Sequence, residues 1–266
     1  MKRVLGLVVF ALVLLVSGCS EDNENELVVG LECNYAPFNW TTATENDEGV
    51  SIDQVNAYCD GYDVTMARFI ADELEMDLVV RKIEWDGLIP ALLSDEIDVI
   101  IAGMSPTPAR AETVSFTNEY FRSEQVLVVR TESVYSSAVS LNDFEGASVI
   151  AQMSTLQDGL IDQINGVNHQ TALGDYPSLV ASLTSGVSDA LVAELPVAQS
   201  IVSSNSSLMI VRLGEDGFIV EDSDVSVSVA VRQEETELLN SINGVLAGIT
   251  EETRNLWMTE ALNRQP

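Results

Sequence analysis

Eight apolar stretches of four to six residues punctuate the chain, and no other feature constrains its fold as tightly. They are Leu27–Leu31, Leu78–Ile83, Ile97–Ala102, Gln125–Arg130, Ala147–Ala151, Ala190–Ala193, Leu208–Leu213 and Ser226–Val231. Each has the length of a strand. Between them apolar residues return with a period near 3.6, as at Val64, Ala67, Ile70 and Leu74, or at Leu179 and Leu183. Strands alternating with helices mean βαβ units, mostly parallel sheets and an α/β fold.

Within that frame, residues Trp85 to Phe121 (WDGLIPALLSDEIDVIIAGMSPTPARAETVSFTNEYF) carry the most chemistry. Asp86 is placed to cap a short helix whose first turn is Gly87, Leu88, Ile89 and Pro90. A strand over Asp98–Ala102 follows and ends in a turn of small residues. Thr107 then caps a second helix, with Pro108 first and Arg110 third. Ligands of open α/β sheets collect past the carboxyl ends of strands. An arginine there presents a planar fork that matches a carboxylate, and the helix start adds free N–H groups and a positive dipole end. Ser105 adds a hydroxyl nearby. The competing use of Arg110 is a surface ion pair.

At these residues the chain resembles a known family. WDGLIPALLSDEIDVIIAGMSPTPAR is similar to the signature stretch of extracytoplasmic solute-binding proteins of ABC importers for polar amino acids (solute-binding protein family 3). The resemblance extends to LVVGLECNYAPFNW (27–40), GYDVTMARFIADEL (61–74), IAQMSTLQ (150–157) and LTSGVSDALVAELPVA (183–198). The five motifs follow the expected order over nearly all of the mature chain. The resemblance implies a two-lobed, class II periplasmic-binding-protein-like fold, with two mixed sheets joined by a two-strand hinge. Lobe one would take residues 27–129 and 229–266, and lobe two residues 130–228, with the hinge near Val128–Arg130 and Val227–Val231. Helices near Glu234–Ile249 and Glu251–Asn263 would pack on lobe one, with Trp257 in the core.

The resemblance also implies a ligand site. Arg110 would grip an α-carboxylate, assisted by backbone N–H groups at Ser105 and Thr155. Glu194 would hold the α-ammonium with the Gly103 carbonyl and the Ser105 hydroxyl. Tyr35 and Trp85 would sandwich the ligand's side chain, and Glu32 would reach its distal end. Ser154–Thr155–Leu156 resembles the family's turn at a helix N-terminus, with Met153 standing where glycine is usual. Plain packing is the competing use of the aromatic residues, and an exposed surface acid that of Glu32 and Glu194. Phe38 and Trp40 read as core.

The N-terminus reads as a targeting segment. Lys2 and Arg3 precede an apolar run, Val4–Val16, too short for a lasting membrane span. Small residues then lead into Cys19, as in a lipoprotein signal: residues 1–18 would be removed, Cys19 lipidated, and residues 19–26 left as a polar tether. No second apolar stretch is long enough to cross a bilayer. The chain holds 42 acidic and 12 basic residues, and without Lys2 and Arg3 its net charge falls from −30 to −32. Lys82 is then its one lysine. No basic stripe exists, which disfavours nucleic acid, whereas such a surface suits high salt. Cys33 and Cys59 would be a disulfide in an exported domain or two separate thiols. His169, the lone histidine, builds no histidine-rich metal site.

Charge counting narrows the ligand. Arg110, Glu194 and Glu32 sum to −1, which free arginine or lysine would neutralise on burial. A guanidinium or alkyl stem would also gain attraction between Tyr35 and Trp85. Glutamine is the nearest competitor. The resemblance thus implies a monomeric, lipid-anchored, extracytoplasmic receptor without cofactor or metal, delivering an amino acid to an importer permease. A dehydratase-type enzyme on the same fold and a sensory module are the rival classes.

Overall fold

The computed structural model describes residues 25–265. The expected signal peptide, Cys19 and most of the tether lie outside the described residues. From the start run β1 (Glu26–Leu31), β2 (Asn34–Tyr35), β3 (Asn39–Thr42), β4 (Val50–Ser51), β5 (Tyr58–Asp60), α1 (Tyr62–Glu73), β6 (Asp77–Lys82), α2 (Leu88–Leu93), β7 (Val99–Ile100), α3 (Pro108–Ala111) and β8 (Ser115–Arg122). Then come β9 (Gln125–Arg130), β10 (Ser148–Ile150), α4 (Leu156–Leu160), β11 (Asn168–His169), α5 (Tyr176–Ser185), β12 (Ala190–Glu194), α6 (Leu195–Ser204) and β13 (Leu208–Val211). β14 (Ser226–Val231), α7 (Thr236–Ala247) and α8 (Glu251–Arg264) complete the chain.

Two five-stranded mixed sheets form the two lobes, in the orders β6-β1-β7-β14-β8 and β11-β10-β12-β9-β13. β1 pairs in parallel with β6 and β7, and β14 runs antiparallel to β7 and β8. In the second sheet β9 lies antiparallel between β12 and β13. Strand burial follows: β9 is buried from Gln125 to Val129, and every residue of β14 is buried. α1 turns Val64, Ala67 and Ile70 to the first sheet's core, as their spacing requires. Phe38 and Trp40 are buried there, and Trp257 packs against the same cluster and onto Phe69.

The expected lobe boundaries shift. Positions 129/130 fall inside β9, where Val128 pairs with both Leu191 and Ile210, and 228/229 fall inside β14. A strand bonded on both sides cannot absorb a bend. The two connections instead cross at 123–124 and 224–225, where the Ser123 N–H donates to the Val225 carbonyl (2.7 Å). The strand expected over Asp98–Ala102 is shortened to Val99–Ile100, because Gly103 enters the left-handed region (φ 63°) and turns the chain away from the sheet. Asp86 does not cap α2. It sits inside a 3-10 turn, Trp85–Gly87, and Gly87 occupies the cap position. A small antiparallel sheet of order β2-β3-β5-β4 was not expected. The Cys33–Cys59 disulfide ties it to the end of β1, their Cα atoms 5.7 Å apart.

Candidate ligand-binding site

Both sheets end their strands at one crevice, and each loop there contributes a polar group. On the first lobe, Thr107 caps α3 by accepting from the Arg110 N–H (3.4 Å) behind Pro108. The Arg110 guanidinium, half-buried, donates to the Ser105 carbonyl (2.9 Å) and, across the crevice, to the Ser154 carbonyl (3.3 Å). Its Cζ lies 5.0 Å from the centre of the Trp85 ring. Among the described residues no carboxylate stands within ion-pair distance of it, although seven other arginines have such partners. Burial pulls its pKa down to about 10.

On the second lobe, Glu194 ends β12 at the cap position of α6, yet its side chain makes no cap bond. The carboxylate is 2 % exposed and accepts from the Tyr35 hydroxyl of the first lobe at 3.1 Å. Burial pushes it up to about 8, opposed by that hydrogen bond and by the Arg110 charge. Thr155 caps α4 by accepting from the Asp158 N–H (3.3 Å), and its own hydroxyl donates to the Gln152 carbonyl (2.7 Å). The left-handed residue of this turn is Ser154 (φ 61°) and not Met153, so glycine's freedom would matter at Ser154.

Seven of the eight expected side chains or backbones line one pocket: Tyr35, Trp85, Gly103, Ser105, Arg110, Thr155 and Glu194. The eighth, Glu32, is buried behind Gln152, whose amide donates to both Glu32 oxygens (2.9 and 3.1 Å) and to the Gly174 carbonyl (2.9 Å). Burial raises Glu32 to about 7 against the pull of that amide. Tyr35 stacks on Phe38 and meets Tyr176 at 4.9 Å, whereas Trp85 covers Arg110 and donates through Nε1 to the Ser154 carbonyl (3.1 Å). Gly103 is required as glycine: a Cβ there would lie 2.7 Å from the Tyr35 ring.

Gln152, Leu156, Gln157 and Tyr176 also line the pocket and were missed. Gln152 and Gln157 lie within the IAQMSTLQ motif; a polar residue directly after an apolar strand was the available signal for Gln152, whereas Gln157, inside α4, carried none. Tyr176, in the first turn of α5 behind its Asp175 cap, carried none.

A half-buried guanidinium and a fully buried carboxyl group, not bonded to each other, thus face one pocket between two lobes. Residues 27–256 match the bacterial extracellular solute-binding proteins, family 3. The chain belongs to this family. It is similar to the arginine-binding extracellular protein ArtP of Bacillus subtilis, 26% identical over 90% of this chain and 89% of that one. A probable histidine-binding protein of Campylobacter jejuni is 30% identical over 72% and 68%. Holo ArgBP from T. maritima superposes with a TM-score of 0.71 at 30% identity, covering 88% of this chain and 95% of that one. The two-lobed mixed α/β architecture is that of the family, and a solute-binding protein, not an enzyme, is what the chain is. No helix among the described residues is long and apolar enough to cross a membrane.

Proposed function

We propose that this solute-binding protein takes a free amino acid, arginine or lysine before others, into the crevice between its lobes and passes it to an ABC importer permease. The observation that carries the reading is a pair of desolvated ionisable groups without a counter-ion, Arg110 and Glu194, lining one pocket from opposite lobes. Buried charges are retained where something compensates them. A zwitterionic head group supplies both missing partners at once: a carboxylate for the Arg110 fork and an ammonium for Glu194 and the Gly103 carbonyl. Glu32 adds a third acidic group near the pocket, which favours a cationic side chain, and the relative ArtP, whose name states arginine binding, agrees.

The bonds of Glu194 to Tyr35, of Arg110 and Trp85 to Ser154 and of Glu32 to Gln152 all cross between the lobes. Closure by swinging one lobe over a ligand bound to the other follows, the ligand adding its own contacts to both. The Val16–Cys19 junction supports export and a lipid anchor at Cys19, with residues 19–26 as tether. A second reading, glutamine, rests on the Gln152 amide: Glu32 already accepts from a neutral carboxamide in this structure.

A thermal-shift screen against the twenty amino acids tests the reading, because a ligand at a hundred times its Kd adds about 2.7 kcal/mol of apparent stability. Arginine or lysine should give the largest shift. The largest shift from glutamine would move the assignment to the second reading, and no shift from any amino acid would refute both.

A further inference from the structure

Beneath the pocket lies a fully buried carboxylate that does not line it. Asp63 sits in the first turn of α1, with its side chain completely enclosed. Its Oδ1 accepts from the Tyr120 hydroxyl (2.7 Å), and its Oδ2 accepts from Asn39 Nδ2 (2.8 Å). Each of these partners holds a backbone amide in turn. The Cys33 N–H donates to Asn39 Oδ1 (2.7 Å), and the Gly103 N–H donates to the Tyr120 hydroxyl oxygen (3.0 Å). Cys33 stands between Glu32 and Tyr35, and Gly103 carries the carbonyl offered to an α-ammonium. One carboxylate therefore reaches both ligand-facing loops of the first lobe.

The approach is enforced by the backbone. The Asp63 N–H donates to the Phe38 carbonyl (2.8 Å), and at Gly61 a Cβ would meet that same oxygen at 2.3 Å. Burial raises Asp63 to about 7, opposed by the hydrogen bonds from Tyr120 and Asn39. For stability alone the whole set, Asp63 with Asn39 and Tyr120, could be exchanged for apolar residues at little cost. The directions of the bonds explain the acid. Tyr120 has one hydroxyl proton, so donating it to Asp63 leaves its oxygen to accept from Gly103. Asn39 in turn can offer its amide protons to Asp63 only with its oxygen toward Cys33. A group that accepts on both oxygens fixes both orientations.

We propose that Asp63 is a positioning residue of the binding site: through Tyr120 and Asn39 it sets the Gly103 and Cys33 amides, and thereby the register of the two loops that receive the ligand. This rests on the amino-acid reading of the pocket.

Two variants separate the arms. In Asp63→Asn the new amide opposes the Asn39 amide, and turning Asn39 over would point its donors at the Cys33 N–H. In Tyr120→Phe the Gly103 N–H loses its acceptor. Amide hydrogen exchange on the ligand-free protein should show Gly103 released in Tyr120→Phe, and Cys33 released more than Gly103 in Asp63→Asn. Both variants should bind L-arginine about tenfold more weakly by calorimetry, which is ~1.4 kcal/mol. Tyr120→Phe should leave 5-guanidinopentanoate, which lacks the α-ammonium, within about twofold of its wild-type affinity, since a tenfold effect is reserved for the lost ~1.4 kcal/mol contact. Unchanged exchange at Gly103 and Cys33, or equal weakening of both ligands, overturns the proposal and assigns Asp63 and Tyr120 to packing alone. Failure of the wild type to bind any amino acid would instead strike the reading of the pocket, and the exchange rates would still judge the relay.

Discussion

Arg110 and Glu194 owe their value to what they lack. Each is desolvated, and each feels the other without bonding to it. Removing the cation leaves a bound carboxylate facing Glu194, so Arg110→Ala should weaken amino-acid binding by about 2–5 kcal/mol, the range for breaking a buried charge pair. Unchanged affinity by calorimetry would remove Arg110 from the site. The acid makes a pH prediction. Glu194 is raised to about 8, and Glu32 and Asp63 to about 7, all chiefly by burial. Unfolded, such groups ionise near pH 4. Between those values the folded chain holds more protons than the unfolded one, so its stability declines as pH rises through this window. Surface carboxylates have finished titrating by about pH 5. The ligand-free melting temperature should therefore fall from pH 5 to 8, and Glu194→Gln should flatten the fall. An ammonium favours ionised Glu194, so the stabilisation by arginine should grow over the same range. A ligand-free melting temperature that rises with pH would contradict the buried-acid account.

The disulfide acts on elements. It joins Cys33, just past β1, to Cys59 in β5, across 26 residues of sequence. Closing a loop of that size restricts the unfolded chain by an amount worth about 3.5 kcal/mol. The double variant Cys33→Ser/Cys59→Ser should melt roughly 10 °C lower, given ~2–4 °C per kcal/mol for a chain of this length. An unchanged melting temperature would mean that the small sheet holds without it. The same region marks what sequence could not convey. Strands such as Leu27–Leu31 and Ala190–Ala193 were legible because burial on both faces demands an unbroken apolar run. β2 to β5 span two to four residues each, too few for any period to register. β8 was invisible for another reason: SFTNEYFR mixes polar and aromatic residues, with only Thr117 and Tyr120 buried. In the site, a motif marks a segment and not the direction of each side chain: Gln152, Gln157 and Asp63 all lie within motifs, yet their roles depend, like that of Tyr176, on which loops tertiary folding brings together. The lobe boundary was misplaced for the same reason, since a strand's sheet is chosen by its partners and not by its composition.

At the scale of the molecule, charge sets the conditions under which the fold can work. The exported chain would carry −32, yet most of its arginines are already committed to pairs such as Arg264 with Asp60 and Arg130 with Asp189. The surplus acids repel one another over the Debye length, which shrinks from ~10 Å at 0.1 M salt to ~3 Å at 1 M. Stability should therefore climb with NaCl, whereas a neutral osmolyte of equal osmolarity should reproduce only the part that comes from solvent exclusion. Binding should respond in the opposite sense. The same negative field draws a cationic amino acid toward the crevice, and screening removes that help. The association rate of arginine should thus drop with salt in stopped-flow measurements. Its dissociation rate should change less, because the contacts at Arg110, Glu194 and the aromatic walls are shielded from ions. Full stability at low ionic strength would show that the acids are spaced widely enough not to matter, and would leave the surface charge to steering alone.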